Sequence, residues 1–261
     1  MSKIIACGNE ITDIYYSGYT IERVYACGGQ LVYGEDPVIE DWKLKLDFSD
    51  GRTAYLPCDS TSAITESEVK TSHVVRENGT THVEPYSAIT AITVGDCVKT
   101  IDSGAFSGMT NIEKVYSYGL NVEIIKTSAF QGCSGITTIY IPCSTTTIQS
   151  YAFSGCTSVT GFNICAGVET IGNFTFANLT SLSGTVSIPA TITSIGRYAF
   201  FGMVNVTRFN VNPTVPPTMP NSSMAFNATS STVTASLYVK KLNDYKLATG
   251  WREYVNNMYQ L

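Results

Sequence analysis

Residues 146–159 read TTIQSYAFSGCTSV, and this stretch decides the fold. Its central Phe153 belongs to a series of phenylalanines in steps of 24, 23, 23 and 24 residues: Phe106, Phe130, Phe153, Phe176 and Phe200. Isoleucine stands five residues before each of them: Ile101, Ile125, Ile148, Ile171 and Ile195. Copies in phase at several positions predict a repeat protein in which each unit buries its apolar side against the next.

Each repeat also contains a pattern typical of a short strand. Ile136-x-x-Ile139-x-Ile141 is an example, and its final alternation indicates one buried face. The period of 23–24 residues lies in the leucine-rich-repeat range. We expect the strands to stack in parallel into one sheet, with Phe and Ile in columns inside the solenoid. Glycines two residues after the Phe predict a turn with a permissive backbone: Gly108, Gly132, Gly155 and Gly202.

These repeats resemble the BspA-like leucine-rich repeats, over roughly residues 86–240. The resemblance implies a β-rich solenoid and an interaction protein, since many members are surface adhesins. Residues 237–254 are similar to the terminal segment of such proteins from gut Bacteroidales and their phages, which implies a capping helix within residues 241–261. Its apolar side would consist of Leu242, Tyr245, Trp251, Tyr254 and Val255, with Gly250 as an interruption.

The N-terminal third lacks the repeat. Residues 1–36 alternate as short β-prone segments and resemble modules of phage virion and tail-associated proteins. That resemblance implies attachment to a particle through Ile14, Tyr15, Val24, Tyr25 and Tyr33. Within residues 37–85, an alternating segment at 42–48 meets a turn at 49–51 and predicts a small β-hairpin. Residues 59–85 are polar and form either a linker or a further hairpin.

Composition restricts the function. Only 14% of the residues are charged and the net charge is -5, which argues against nucleic acid as a partner, since phosphate binding needs clustered Lys and Arg. No apolar run reaches the length of a membrane span. The start of the chain shows no secretory signal, which favours assembly in a cytoplasm. The eight cysteines form no disulfide framework, so most are expected to be free thiols.

No motif for catalysis appears. His73 and His82 are the only histidines, and no cluster at metal-ligand spacing accompanies them, so a solvated polar segment is favoured over a metal pair. Cys133 and Cys156 share one repeat phase and are interpreted as small buried residues rather than a metal or disulfide ladder. Between Lys126 and Arg197 the only charged residue is Glu169. We therefore expect no enzyme activity and no cofactor.

The sheet residues that alternate with the apolar positions are the binding candidates. Tyr, Asn and Thr on a rigid sheet suit hydrogen bonding and stacking with sugars or a protein. An ordinary solvated face is the alternative. The predicted site residues are Lys114, Tyr116, Thr138, Tyr140, Asn163, Arg208 and Asn210.

The resulting hypothesis is a non-enzymatic virion protein of a phage of gut Bacteroidales, either a decoration or a tail-associated protein. Residues 1–36 would contact other virion proteins, and the solenoid would bind a protein or glycan of the host surface. Self-association into a homo-oligomer is left open. The first alternative is a BspA-like adhesin on a bacterial cell surface, and the weaker one is an accessory module of a carbohydrate-active enzyme.

Overall fold

The computed structural model describes residues 14–16, 19–21, 42–58, 61–70, 73–77, 80–228 and 235–261. From residue 86 onward the described residues form a succession of short strands and turns that repeats as a solenoid. The elements before the repeats are β1 (Ile14–Tyr16), β2 (Tyr19–Ile21), β3 (Trp42–Phe48), β4 (Thr53–Pro57), β5 (Ala63–Ile64), α1 (Glu66–Val69), β6 (His73–Glu77) and β7 (Thr80–Glu84).

Two parallel arrays of strands run along the solenoid. The first, called the wide sheet, contains β8 (Ile89–Val94), β10 (Lys114–Tyr118), β12 (Thr138–Ile141), β14 (Gly161–Ile164), β16 (Ser183–Ile188), β18 (Asn205–Val211), β19 (Ser236–Val239) and β20 (Met258–Gln260). The second, called the narrow ladder, begins with β5 and continues through β9 (Thr100–Ile101), β11 (Ile124–Ile125), β13 (Thr147–Ile148), β15 (Thr170–Ile171) and β17 (Ser194–Ile195).

The expected single sheet is wrong in two respects. The wide sheet is divided into the segments β8–β10, to which β3 and β4 are added at the β8 edge, β12–β14 and β16–β18–β19–β20, and the narrow ladder is a second array. Register shifts occur in β10 between Val115 and Ser117, and in β18 between Val206 and Arg208, opposite Gly184 and Thr185 of β16. Each shift leaves one extra residue, Tyr116 in β10 and Thr207 in β18, which disrupts the ladder locally.

The interior is built from columns, as predicted. The phenylalanines of successive repeats are fully buried and stack with centroids 4.8 to 5.7 Å apart. The isoleucines of the narrow ladder pair in register from Ile101 to Ile195. Both columns extend beyond the predicted copies, because Phe226 stacks on Phe200 and Ile64 pairs with Ile101. The column of phenylalanines from Phe106 to Phe226 is called the Phe column below.

The segment before the repeats closes one end of the solenoid. The predicted hairpin is present as antiparallel β3–β4, and β3 also pairs antiparallel with β8. The ammonium of Lys43 is buried, bonds to the carbonyl of Ala63 at 3.0 Å and forms an ion pair with Glu68. Of the two alternatives for residues 59–85, the hairpin is found as β6–β7, whereas residues 63–64 supply a rung of the narrow ladder.

The C-terminal cap contains less helix than expected. Helix α2 covers only Leu242–Leu247, Gly250 turns the chain at φ 79°, and a 3-10 helix follows over Arg252–Asn257. Strand β20 then returns to pair with β19. The predicted aromatics are nevertheless those that cover the end: Tyr245, Trp251 and Tyr254 are fully buried, Leu242 is partly buried, and Val255 is intermediate.

The turn after each phenylalanine confirms the role predicted for glycine. Gly108, Gly132, Gly155 and Gly202 have φ between 72° and 78°, a left-handed conformation that costs glycine little. The fourth copy has Asn178 at φ 61° instead. Asparagine is the side chain that most often tolerates this region, so the turn is retained there.

Candidate binding face

The outward side chains of the wide sheet form two columns. Register places Thr138 beside Gly161 and Tyr140 beside Asn163, on β12 and β14. On β16 and β18 it places Thr185 beside Arg208 and Ser187 beside Asn210. Since alternate residues of a strand point to opposite sides, these columns lie over the solvent side of the sheet.

The predicted site residues lie on this outward side with different degrees of exposure. Tyr116 and Tyr140 are 63% and 57% exposed, whereas the rings of the Phe column are buried. Lys114 and Asn163 are also exposed, and Thr138, Arg208 and Asn210 are half-buried. The inward neighbour Ile139 is fully buried, as predicted, whereas Val115 and Phe162 are only partly buried against the core.

Arg208 is held by its neighbours at the C-terminal end of the face. Its Nε donates to Asn210 Oδ1 at 2.6 Å, and its guanidinium carbon lies 3.6 Å from the ring centroid of Tyr238. Tyr238 in turn stacks on Tyr259 with centroids 5.3 Å apart. This arrangement fixes the cation over an aromatic face, which is a favourable cation–π geometry.

Tyr238 and Tyr259 were not predicted as site residues. Strand β19 pairs with β18 and places Tyr238 beside Asn210, and β20 places Tyr259 beside Tyr238. The alternations Leu237-Tyr238-Val239 and Met258-Tyr259-Gln260 carry the signal in the sequence. It was missed because neither strand belongs to a recognisable repeat. The face therefore has tyrosines near both ends.

The charges of the face lie at its ends. At the N-terminal end a shallow recess is lined by Asp47, Arg52, Glu113, Lys114 and Tyr116, among others. Asp47 accepts a hydrogen bond from Thr53 Oγ1 at 2.8 Å and lies 3.5 Å from Lys45 Nζ. Between this end and Arg208 the face carries Thr, Tyr, Gly, Asn and Ser. The middle can thus contribute hydrogen bonds and stacking but no net charge.

The other positions predicted from the sequence lie in the β1–β2 and β6–β7 pairs or outside the described residues. Ile14 and Tyr15 lie on β1, which pairs antiparallel with β2, while Val24, Tyr25 and Tyr33 lie outside the described residues. His73 pairs with Glu84 and His82 with Val75 across β6–β7, so they are not cross-strand neighbours. Over the described ranges, no three His, Cys, Asp or Glu residues could hold a metal ion together.

The expectation of mostly free cysteines is wrong. Disulfides join Cys58 to Cys97 and Cys143 to Cys165, with Cα–Cα distances of 6.3 and 4.8 Å. The second pair joins the turns that follow β12 and β14, where the two cysteines are offset by one residue from the Ile141–Ile164 register. The repeat phase counted from the phenylalanines does not predict this disulfide. One cysteine lies one residue further from the phenylalanine of its rung than the other does.

Cys133 and Cys156 are buried free thiols, as predicted. Their sulfurs donate to the carbonyls of Phe106 and Phe130 at 3.0 and 3.3 Å. Burial raises the pKa of Cys133 to about 12 and that of Cys156 well above its ordinary value. Because the thiolate is the reactive form, both side chains are unreactive core residues.

The stacked rungs, the Phe column and the wide sheet define a leucine-rich-repeat solenoid. The BspA type leucine-rich repeat region model matches this chain in six copies, over residues 85–207 and 180–246. The chain therefore belongs to the BspA type leucine-rich-repeat family. No curated protein matches it. No helix of the described residues is long and apolar enough to cross a membrane.

Three solved structures are similar to this chain. A leucine-rich repeat protein of T. pallidum, TpLRR, is 20% identical with a TM-score of 0.47, covering 57% of this chain and 74% of its own. One from Bacteroides ovatus is 13% identical with a TM-score of 0.35, covering 80% and 72%. The pneumococcal vaccine antigen PcpA is 15% identical with a TM-score of 0.27, covering 96% and 86%.

Proposed function

We propose that this protein is a cell-surface recognition protein that binds a host protein or glycan through the wide sheet. The observation that carries the proposal is the exposure of Tyr116 and Tyr140 on a sheet whose inward side chains are buried or partly buried against the core. Tyrosine offers a large apolar ring with a polar tip, and it is enriched where proteins bind partners. The family is one of repeat proteins, which supports binding rather than catalysis.

The disulfides support the location. Disulfides persist in oxidising compartments and are rare in a reducing cytosol. Cys58–Cys97 and Cys143–Cys165 therefore favour the adhesin alternative over a particle assembled in a cytoplasm. The virion hypothesis has no support from the family or from the similar structures, and it is not retained.

The chemistry of the face determines how it would bind. Its middle is uncharged, so hydrogen bonds and ring contacts would dominate there. Salt screens exposed charges but not these contacts, so affinity should change little between low and physiological ionic strength. Several weak contacts on one rigid face, or several copies on one cell, would add up to avidity.

The test is a binding isotherm of fluorescently labelled protein on intact epithelial cells. The variant Tyr116→Ala/Tyr140→Ala should weaken binding about tenfold or more, because two exposed rings are removed together. Leu120→Ala is the matched control, since Leu120 is 71% exposed but does not lie in a strand of the wide sheet. Equal binding by the wild type and the double variant would overturn the proposal.

A further inference from the structure

A second exposed aromatic group lies away from the wide sheet, in the turns between the narrow ladder and the Phe column. In each repeat, the residue two positions before the phenylalanine has a left-handed backbone with φ between 48° and 69°. The members of this column are Gly104, Ser128, Tyr151, Phe174, Tyr198 and Met224. Bulky side chains are rare in this conformation.

Three of these residues form a stack. Tyr151 and Phe174 have centroids 4.9 Å apart and planes within 5°, and Phe174 and Tyr198 have centroids 4.5 Å apart at 20°. The edge of Phe201 closes the Tyr198 end at 5.4 Å. The spacing equals one rung of the solenoid, so each ring covers a face of the next.

The stack ends at Tyr151, whose side chain is 37% exposed. The preceding residue in the column is Ser128, which has no ring to cover the second face of Tyr151. One rung further lies Gly104, and a β-carbon there would be 3.4 Å from Glu66 Oε2. Glu66 Oε1 accepts a hydrogen bond from Lys70 Nζ at 2.9 Å. We call the gap that the aromatic column leaves at Ser128 and Gly104 the Tyr151 recess.

The Tyr151 recess combines an aromatic wall with polar groups. Its length, from the ring of Tyr151 past Ser128 to Gly104, is two rungs, or about 10 Å. Ser128 occupies the intervening rung, and the carboxylate of Glu66 with its Lys70 partner lies beside Gly104 at the far end. Beside it, Thr127 Oγ1 donates to Gln149 Oε1 at 3.2 Å. One face of a ring can therefore stack while its edges form hydrogen bonds.

We propose that the Tyr151 recess binds one pyranose ring of a neutral glycan. A pyranose has an apolar C–H face, which would cover Tyr151 as the ring of Phe174 covers its other face. The hydroxyls on its edge would bond to Ser128 and to the Glu66–Lys70 pair. The site is separate from the wide sheet and does not depend on the function proposed for it.

Saturation-transfer NMR with methyl hexopyranosides as probes tests the site on the full chain. The panel is the methyl glycosides of glucose, galactose, mannose and N-acetylglucosamine. We expect saturation of the C–H protons on one ring face for at least one of them. Tyr151→Ala should weaken that signal about tenfold, since it removes the stacking surface.

Ser128→Tyr is the sharper variant. Tyr151 and Phe174 already occupy the same left-handed position in later rungs, so the new ring can extend the stack and fill the recess. It should keep the melting temperature within a few degrees of the wild type and abolish the glycoside signal. Leu120→Ala, at an exposed residue outside both the stack and the wide-sheet strands, should leave the signal unchanged. No signal from any probe, or wild-type signal in folded Ser128→Tyr, would overturn the proposal.

Discussion

The Phe column and the outward columns of the wide sheet have the same spacing between rungs but differ in how much their residues vary from rung to rung. Inside, the same residue type recurs in each rung from Phe106 to Phe226, and each ring is buried. Outside, successive rungs present different residues: Lys114, Thr138, Gly161, Thr185 and Arg208 along one column.

The difference shows which part of a repeat the fold constrains. An interior ring must fill the same space in every rung, because close packing leaves neither room for a larger group nor tolerance for a void. An outward residue contacts mostly solvent, so its identity is free to serve recognition. We therefore expect inward changes to alter stability and outward changes to alter binding.

The largest expected effect is that of Phe153→Ala. Phe153 stacks between Phe130 and Phe176, so its loss leaves a cavity that costs about 3–5 kcal/mol of unfolding free energy. The loss also weakens the coupling between adjacent rungs. Chemical denaturation measures it, with Leu120→Ala as the exposed control. A midpoint equal to that of the wild type would show that the Phe column does not stabilise the solenoid.

The next effect concerns the disulfide between neighbouring rungs. Cys143→Ser/Cys165→Ser removes a cross-link over a sequence separation of 22 residues, and loop entropy makes the expected cost about 3 kcal/mol. Thermal unfolding without reductant measures the change. Adding reductant should lower the wild-type melting temperature and leave that of the variant closer to its starting value. A wild-type melting temperature indifferent to reductant would contradict this result.

A smaller effect distinguishes the two kinds of cysteine without affecting the fold. In the native protein at pH 8, iodoacetamide should not label Cys133, because its raised pKa leaves almost no thiolate there. In denaturant without reductant, peptides containing Cys133 and Cys156 should become labelled. Those containing Cys143 and Cys165 should require reductant first. Labelling of Cys143 in denaturant alone would show that the disulfide is absent.

Sequence periodicity predicted the interior well, because the phenylalanine repeats at a fixed phase. It missed two rungs for identifiable reasons. Ile64 is separated from Ile101 by α1 and the β6–β7 hairpin, which hide the spacing. Phe226 follows Phe200 by 26 residues and lacks the preceding isoleucine. The Cys143–Cys165 pair depends on the path of the turns after β12 and β14, because the two cysteines occupy different repeat phases.

The sequence predicted the binding face only in strands that show a recognised alternation of apolar and outward residues. Tyr116 and Tyr140 were found because each lies next to an apolar position of a recognised strand. Tyr238 and Tyr259 join the face through β19 and β20, whose place in the wide sheet follows from tertiary pairing. The stack of Tyr151, Phe174 and Tyr198 was missed because its aromatic members are only three among six residues of that column.

The central claim is that inward and outward residues of one strand have separable roles, and Ile139 and Tyr140 test it most directly. Ile139→Val should cost about 0.5–1.5 kcal/mol of stability and leave cell binding unchanged. Tyr140→Ala should change stability by no more than about 0.5 kcal/mol, since its side chain is mostly exposed, and weaken binding severalfold. The measurement is a binding isotherm on intact cells paired with denaturation of each variant. An isotherm of Tyr140→Ala that matches the wild type, or a loss of binding in Ile139→Val, would contradict the account.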